Sequence, residues 1–293
     1  MLTVSLDLRW VLLLSLCLGA SGLRAAPSSG ELLASAELAL ERREFAETIS
    51  LAEKVLSAEP QSISALRLLA QGNSGLLRHK AALLAMDQVV EQRPAADNYQ
   101  LRGELRFKAG LMAESLADFD KVIELQPRRE PGHWQRGICY YYLGDYEKGR
   151  KQFEQYQNVD DNDVENVVWR AMCMARDPQL GWEKAAADLW KVRFDRRVPL
   201  MVVHKLFADQ AQPADVLAAV TEGQPGAEEL QSRQFYAHLY LGLYYDAKQE
   251  PVEARKYLEL AAGKYALPGY MGDVARVHAE RLARQAADKT PAK

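Results

Sequence analysis

The 293-residue sequence predicts an all-α, helix-turn-helix solenoid, and three observations carry that prediction. First, Pro60, Pro94 and Pro127 stand 34 and 33 residues apart, and a further 34 reaches Asp161 in the turn-like run Asp160-Asp161-Asn162-Asp163. Second, three more ladders run in the same phase: the small residues Ala36, Ala70, Gly103, Gly137 and Ala171, then Ala52, Met86, Phe119 and Phe153, then Val55, Val89, Val122 and Tyr156. Third, apolar residues within each unit recur at three and four, the spacing that builds one face of a helix, and the pattern stops at a proline whose ring cannot continue it. A period of this length marks one supersecondary unit that buries its apolar face only by stacking on its neighbours.

The N-terminal residues stand apart from this pattern. Trp10 to Leu18 is an apolar run of about nine, followed by Gly19-Ala20-Ser21-Gly22 and Ala25-Ala26-Pro27. The run is shorter than the ~20 residues that span a bilayer, and its small-residue flank fits a secretory signal over 1–26; the alternative is a buried first helix. Leu16 stands immediately before Cys17, where a bacterial lipoprotein signal needs a small residue, so lipidation is not expected. No Asn-x-Ser/Thr acceptor occurs, which favours a bacterial envelope over a eukaryotic secretory route. The expected destination is the periplasm or the medium.

The units follow in order. Four are expected over 29–62, 63–95, 96–129 and 130–163. In the third, Ala117 to Pro127 alternates at helical spacing and ends at the proline; in the fourth, Trp134 to Leu143 leads into the turn Gly144-Asp145-Tyr146. Two degenerate units fill 164–234. The first keeps Ala171 and Ala186 but lengthens its turn through Asp177-Pro178-Gln179-Leu180-Gly181-Trp182, and the second rests on helical patterning around Met201 to Phe207 and Val216 to Val220. The motif returns over 235–268 with Leu241 to Tyr245, Ala254, Leu258 and Ala261. Tyr270 to Arg284 reads as a capping helix within 269–285, because the last unit of a solenoid otherwise exposes its stacking face. A disordered tail is expected over 286–293.

Composition narrows the function. Thirty-seven Lys and Arg stand against 40 Asp and Glu, a formal charge of -3. That balance lacks the basic excess of a chain that neutralises a phosphate backbone, so no nucleic-acid partner is expected. Cys17, Cys139 and Cys173 are too few and too scattered for a disulfide framework or a paired zinc site. Cys139 and Cys173 lie one repeat apart and are expected as buried thiols, ~9–10 Å apart by helix packing. His79, His133, His204, His238 and His278 fall in five segments with no His-Glu-x-x-His helix. Gly72-Asn73-Ser74-Gly75 is one residue short of a nucleophile elbow, and no phosphate-binding glycine loop occurs. No catalytic residue, metal or cofactor is expected.

Gly137, Tyr140, Gly144-Asp145-Tyr146 and Phe153, with the terminal prolines, resemble the tetratricopeptide repeat family residue by residue. The resemblance implies a right-handed superhelix. Arg136-Gly137-Ile138, Tyr140-Tyr141, Tyr156-Gln157, Asp160 to Asp163, Trp169, and Phe235-Tyr236 through Tyr245 to Ala261 look like the bacterial envelope family of new lipoprotein I. This implies a non-enzymatic, often dimeric scaffold that gathers a periplasmic processing protease and cell-wall hydrolases. The chain departs from that family in lacking the lipoprotein cysteine signal.

The repeat resemblance also implies which first-helix positions line the concave groove. They are Arg67 and Gln71; Gln100, Glu104, Phe107 and Lys108; Trp134, Ile138, Tyr141 and Tyr142; and Val168, Met172 and Arg176. The expectation is a groove with exposed aromatic anchors for protein or peptide partners; the alternative is that these rings pack on the sixth unit or on a second subunit. The Lys and Asn clamp that holds chain-terminal carboxylates in this family is absent, because the corresponding pairs are Arg67 with Gln71, Gln100 with Glu104 and Trp134 with Ile138. The sequence therefore points to an exported scaffold or adaptor. The alternatives are a cell-wall carbohydrate-binding module or accessory subunit of a peptidoglycan enzyme, and a purely structural assembly protein.

Overall fold

The ladder residues meet one another across each helix pair. A Cβ placed on Gly103 would stand 2.6 Å from the Phe119 ring, one on Gly137 2.7 Å from Phe153, and one on Gly242 2.5 Å from Leu258. Each pair is sixteen residues apart in the chain, so a large residue of the second helix fills the space that a missing side chain leaves on the first. Ala36, Ala70 and Ala171 occupy the same first-helix position and are buried. This small-against-large contact lets the two helices approach closely and sets the repeat.

The computed structural model describes residues 26–288, so the expected signal segment lies almost wholly outside the described residues. Among the described residues every regular element is a helix. The first four pairs are α1 (Ser29–Glu41) and α2 (Phe45–Ala58), α3 (Ile63–Gly75) and α4 (His79–Gln92), α5 (Ala96–Lys108) and α6 (Met112–Leu125), and α7 (Trp134–Leu143) and α8 (Tyr146–Tyr156). A 3-10 turn at Pro127–Arg129 follows α6. A left-handed residue sits at the same point of each intra-pair turn: Arg43, Leu77, Gly110 and Gly144. Only the third and fourth pairs use glycine there, the residue that adopts this conformation without steric cost.

The later units depart from the ladder. In α9 (Val164–Arg176) nearly every residue is buried, because α8, α10 (Gly181–Ala187), α11 (Leu200–Phe207) and α13 (Ala227–Ala247) pack around it. Between α10 and α11 the chain is irregular, and α12 (Pro213–Ala219) has only 7 residues. α13 begins at Ala227, ahead of the position 235 expected from the motif, and runs 21 residues before pairing with α14 (Pro251–Ala262). The last helix, α15 (Tyr270–Asp288), extends through 286–288, where the sequence suggested a tail. It lies along α14 and also reaches α5. The C-terminal helices therefore fold back onto α5, α7 and α9, and one apolar core runs from Phe107 to Leu282.

Gly137→Leu is expected to lower the unfolding free energy by about 1–3 kcal/mol or more in chemical denaturation, since Phe153 occupies the space the side chain needs. Gly30→Ala, with nothing within 4 Å, is expected to leave stability equal or slightly raised.

His133 generates a second prediction. The imidazole is buried against the Phe119 ring at 4.7 Å, and both ring nitrogens lack a hydrogen-bond partner. Burial, assisted by Arg129 and Arg136, pushes it down to about 4. The unfolded chain takes up this proton below pH ~6.5 while the folded chain does not. Stability is therefore complete above that pH and falls as pH is lowered toward 4, by about 2 kcal/mol at pH 5 from this group. Denaturant midpoints at pH 7 and pH 5 should show the loss, and His133→Phe should abolish its share.

Candidate concave site

Of the thirteen residues expected to line a groove, the fold buries six. Phe107, Ile138, Tyr141, Tyr142, Val168 and Met172 are all buried, Tyr142 being the most exposed at 6%. The expectation of exposed aromatic anchors is thereby corrected, and the cover is the chain's own C-terminal helices. Phe107 stacks on Tyr270 with ring centroids 4.7 Å apart, and Trp134 meets the same ring edge-on at 5.0 Å. Tyr141 and Tyr142 make an edge contact with each other at 5.8 Å and reach α13 and α15 through their hydroxyls.

Those hydroxyls end in a buried polar network. Tyr141 Oη donates to Asp246 Oδ2 at 2.5 Å, and His278 Nε2 lies 3.4 Å from the same oxygen. Tyr142 Oη lies 3.0 Å from His278 Nδ1, and Arg176 Nη1 lies 3.3 Å from Asp246 Oδ1. Burial opposes the charge on Asp246, yet His278, the Tyr141 hydroxyl and Arg176 together hold its carboxyl well below the usual carboxylate range. Burial, then the Asp246 charge, raises the Tyr141 phenol far above its ordinary value. The order hydroxyl, imidazole, carboxylate is that of a nucleophile relay. Here all three groups are sealed in the core, the Tyr142 phenol is pushed further from ionisation by burial, and the arrangement acts as a clasp. His278 belongs to no motif in the sequence and Asp246 is not singled out by it; nothing in their spacing reveals that they meet tyrosines 136 and 105 residues away.

Polar members of the expected set remain accessible in part. Gln71, Glu104 and Lys108 line a cleft of ≈ 490 Å³ between the first three helix pairs and the segment that joins α14 to α15. Its apolar wall includes Phe45, Leu77, Leu101 and Leu267, and Leu77 is 55% exposed. Lys108 Nζ pairs with Asp273 at 3.3 Å, and Arg276 donates to the Lys108 carbonyl at 2.6 Å, so the start of α15 is tied to the end of α5. Arg67 donates to Asn98 of the next unit. Gln100 donates to Glu104 at 2.8 Å, and Gln135 donates to the same carboxylate oxygen at 3.0 Å. Arg176 is withdrawn to the clasp, and Trp134 lies at a separate pocket near α9.

Among the described residues no group of three or more His, Cys, Asp or Glu side chains is placed to hold a metal ion. Cys139 and Cys173 are free and buried, and burial pushes the Cys139 thiol up to about 12, far from a reactive thiolate. No described helix is long and apolar enough to cross a membrane.

Comparison with known proteins places the architecture. No protein-family model matches the chain. The fold is similar to a tetratricopeptide repeat protein from Parabacteroides merdae ATCC 43184, with a TM-score of 0.57 and 14% identity over 87% of this chain and 98% of that one. A more distant similarity is to YrrB, described as a TPR protein with an unusual peptide-binding site, at a TM-score of 0.47 and 15% identity over 55% of this chain and 86% of that one. In sequence, the chain is 27% identical over 95 residues to the SGT1 homolog of Bos taurus, which is 32% of this chain and 28% of that protein. The chain thus spans under a third of that relative's length. The class of fold defined by the helix pairs and by the likeness to the Parabacteroides merdae structure is the tetratricopeptide-type helix-turn-helix solenoid.

Asp246→Ala should cost about 3 kcal/mol or more of stability, because it leaves Tyr141, His278 and Arg176 facing a vacated charge site in the core. Hydrogen exchange should show α15 losing protection more than α1 to α4; equal loss throughout would contradict the clasp.

Proposed function

We propose that this chain is an exported scaffold that binds a protein segment in the concave cleft between its first three helix pairs and the α14–α15 junction. The single observation that carries the reading is the cleft itself. It joins an apolar wall, exposed at Leu77 and half-buried at Leu267, to the charged groups Glu104, Lys108, Asp273 and Arg276, the mixture by which a segment is held and oriented. Solenoids of this class present extended concave surfaces as their characteristic means of contact, which supports a binding role over catalysis. Export is supported by the apolar run Trp10 to Leu18 and the small residues that follow it. The resemblance to the new lipoprotein I family supports envelope proteases or peptidoglycan hydrolases as the partner class. The carbohydrate-binding alternative drew on exposed aromatic rings, and the burial of Phe107, Tyr141 and Tyr142 removes that support.

A photo-reactive residue at Gln71 or Leu267 should yield a discrete adduct in the native envelope, while one at Leu84, exposed on α4 and absent from the cleft lining, should not. Leu77→Asp puts a charge on the apolar wall at a left-handed position that Asp tolerates. It should weaken capture about tenfold or more, ~1.4 kcal/mol, with little change in melting temperature. Adducts from Leu84 equal to those from Gln71 would sink the cleft reading.

A further inference from the structure

A second, smaller pocket of ≈ 160 Å³ opens where the N-terminal ends of α7 and α9 meet the end of α8. Four aromatic rings line it, Trp134, Phe153, Tyr156 and Trp169, together with the carboxylates of Asp163 and Glu165. Its size suits a side-chain head group and falls below the ~300–1,000 Å³ of sites for drug-sized ligands. Met271 supplies the wall from α15, whereas Gly272, Asp273 and Arg276 line the concave cleft. The two sites therefore take different residues of the same helix.

The charge of this pocket is unbalanced. Arg197 Nη2 pairs with Asp163 at 2.7 Å and with Asp195 at 2.5 Å, and Arg197 also pairs with Glu165. One guanidinium thus serves three carboxylates, of which Asp163 and Glu165 line the pocket and Asp195 stands behind it, so negative groups outnumber positive ones in the cluster. Tyr240 adds only a neutral hydroxyl, donating to Glu165 at 2.6 Å. The imbalance reaches the pocket wall: the Tyr156 phenol is pushed up, first by burial and then by Asp163, Asp160 and Glu165, with Arg197 the single opposing charge.

Of the four rings, Trp134 and Tyr156 are partly exposed, while Phe153 and Trp169 are buried and stack on each other with centroids 6.2 Å apart. Trp190 carries the Arg170 guanidinium over its ring at 4.2 Å, and Trp182 carries the Lys248 ammonium at 5.3 Å. Among the described residues no cation stands over Trp134, Phe153, Tyr156 or Trp169, although theirs is the pocket with surplus negative charge. Two polar groups in its walls also lack hydrogen-bond partners, the indole N–H of Trp169 and the side-chain oxygen of Asn166. Both residues are more than nine-tenths buried, Trp169 at 2% and Asn166 at 4% exposure. Asn166 Oδ1 can accept a hydrogen bond that only a donor entering the site would supply. Aromatic faces attract cations through the ring quadrupole, most strongly where water is excluded.

We infer that the pocket formed by Trp134, Phe153, Tyr156 and Trp169 over Asp163 and Glu165 binds an organic cation, the ammonium or guanidinium head of a Lys or Arg side chain or of a small free amine. The partly exposed rings of Trp134 and Tyr156 flank the head while the carboxylates neutralise it, and a primary ammonium or guanidinium has a donor to offer Asn166. This inference does not depend on the concave cleft, and its test uses different residues.

The test follows the indole N–H resonances of the full chain during titration with N-acetyl-arginine amide, N-acetyl-lysine amide, choline and the neutral N-acetyl-norleucine amide. Trp134 and Trp169 should shift saturably with the cations and not with the neutral probe, while Trp182 and Trp190, already covered, should stay in place. Trp134→Leu and Asp163→Asn, each checked for retained helicity and melting temperature, should weaken the cation response about tenfold or more. Tighter response to the arginine or lysine probe assigns the cation to a partner's side chain; tighter response to choline assigns it to a free quaternary amine. Absence of a saturable shift up to ~10 mM with every cation, or an equal shift with the norleucine probe, would overturn the inference.

Discussion

The carboxylate of Asp246 is the point on which the arrangement of this solenoid turns. An ionised carboxyl in the core is stable only when its lost hydration is replaced, and here a phenol, an imidazole and a guanidinium replace it. Tyr141 comes from α7, Arg176 from α9, Asp246 from α13 and His278 from α15, so the charge joins four helices that the chain separates widely. Once it is satisfied, α13 and α15 lie against the concave face of the middle units, and the rings of Phe107, Tyr141 and Tyr142 become core. A solenoid whose units touch only their neighbours would lack this long-range tie.

Closure divides the inner surface into two regions with different character. Around α7 and α9 the concave face is filled by protein, and its aromatic residues contribute cohesion. Around α3 and α5 it remains open, and the α14–α15 junction supplies a far wall to what would otherwise be a shallow groove. The ion pair of Lys108 with Asp273 and the bond from Arg276 to the Lys108 carbonyl hold that wall in position. Solvent-accessible ion pairs contribute little in themselves, so the wall's placement rests mainly on the Tyr270 ring packed on Phe107 and Trp134. The start of α15 thus serves both sites, with polar residues facing the cleft and Met271 facing the aromatic pocket.

The helix pairs were legible because their cause is local. Gly103, Gly137 and Gly242 stand sixteen residues before the large side chains that fill their space, and a contact at fixed short separation leaves a period in the sequence. The turn at Gly144 was legible because glycine takes the left-handed backbone without steric cost, whereas Arg43 and Leu77 adopt the same backbone without the residue that would announce it. The degenerate fifth and sixth units kept helical patterning but lost the small-large register, because α9 is packed on all sides and no longer needs one apolar face.

The candidate sites were legible only in part. The repeat resemblance implied an inward-facing set that included Gln71, Glu104, Lys108 and Trp134, of which the first three line the cleft and Trp134 lines the aromatic pocket. Whether a residue pointing inward meets solvent or protein was decided by the return of α13 and α15, and that return depends on Tyr141 with Asp246 and Tyr142 with His278, pairs 105 and 136 residues apart. Such contacts obey no period. By itself the sequence determined an all-helical solenoid and its repeat frame, because these follow from spacing along one chain. The tertiary structure alone decided which residues remain open to a partner, because that depends on where distant helices come to rest.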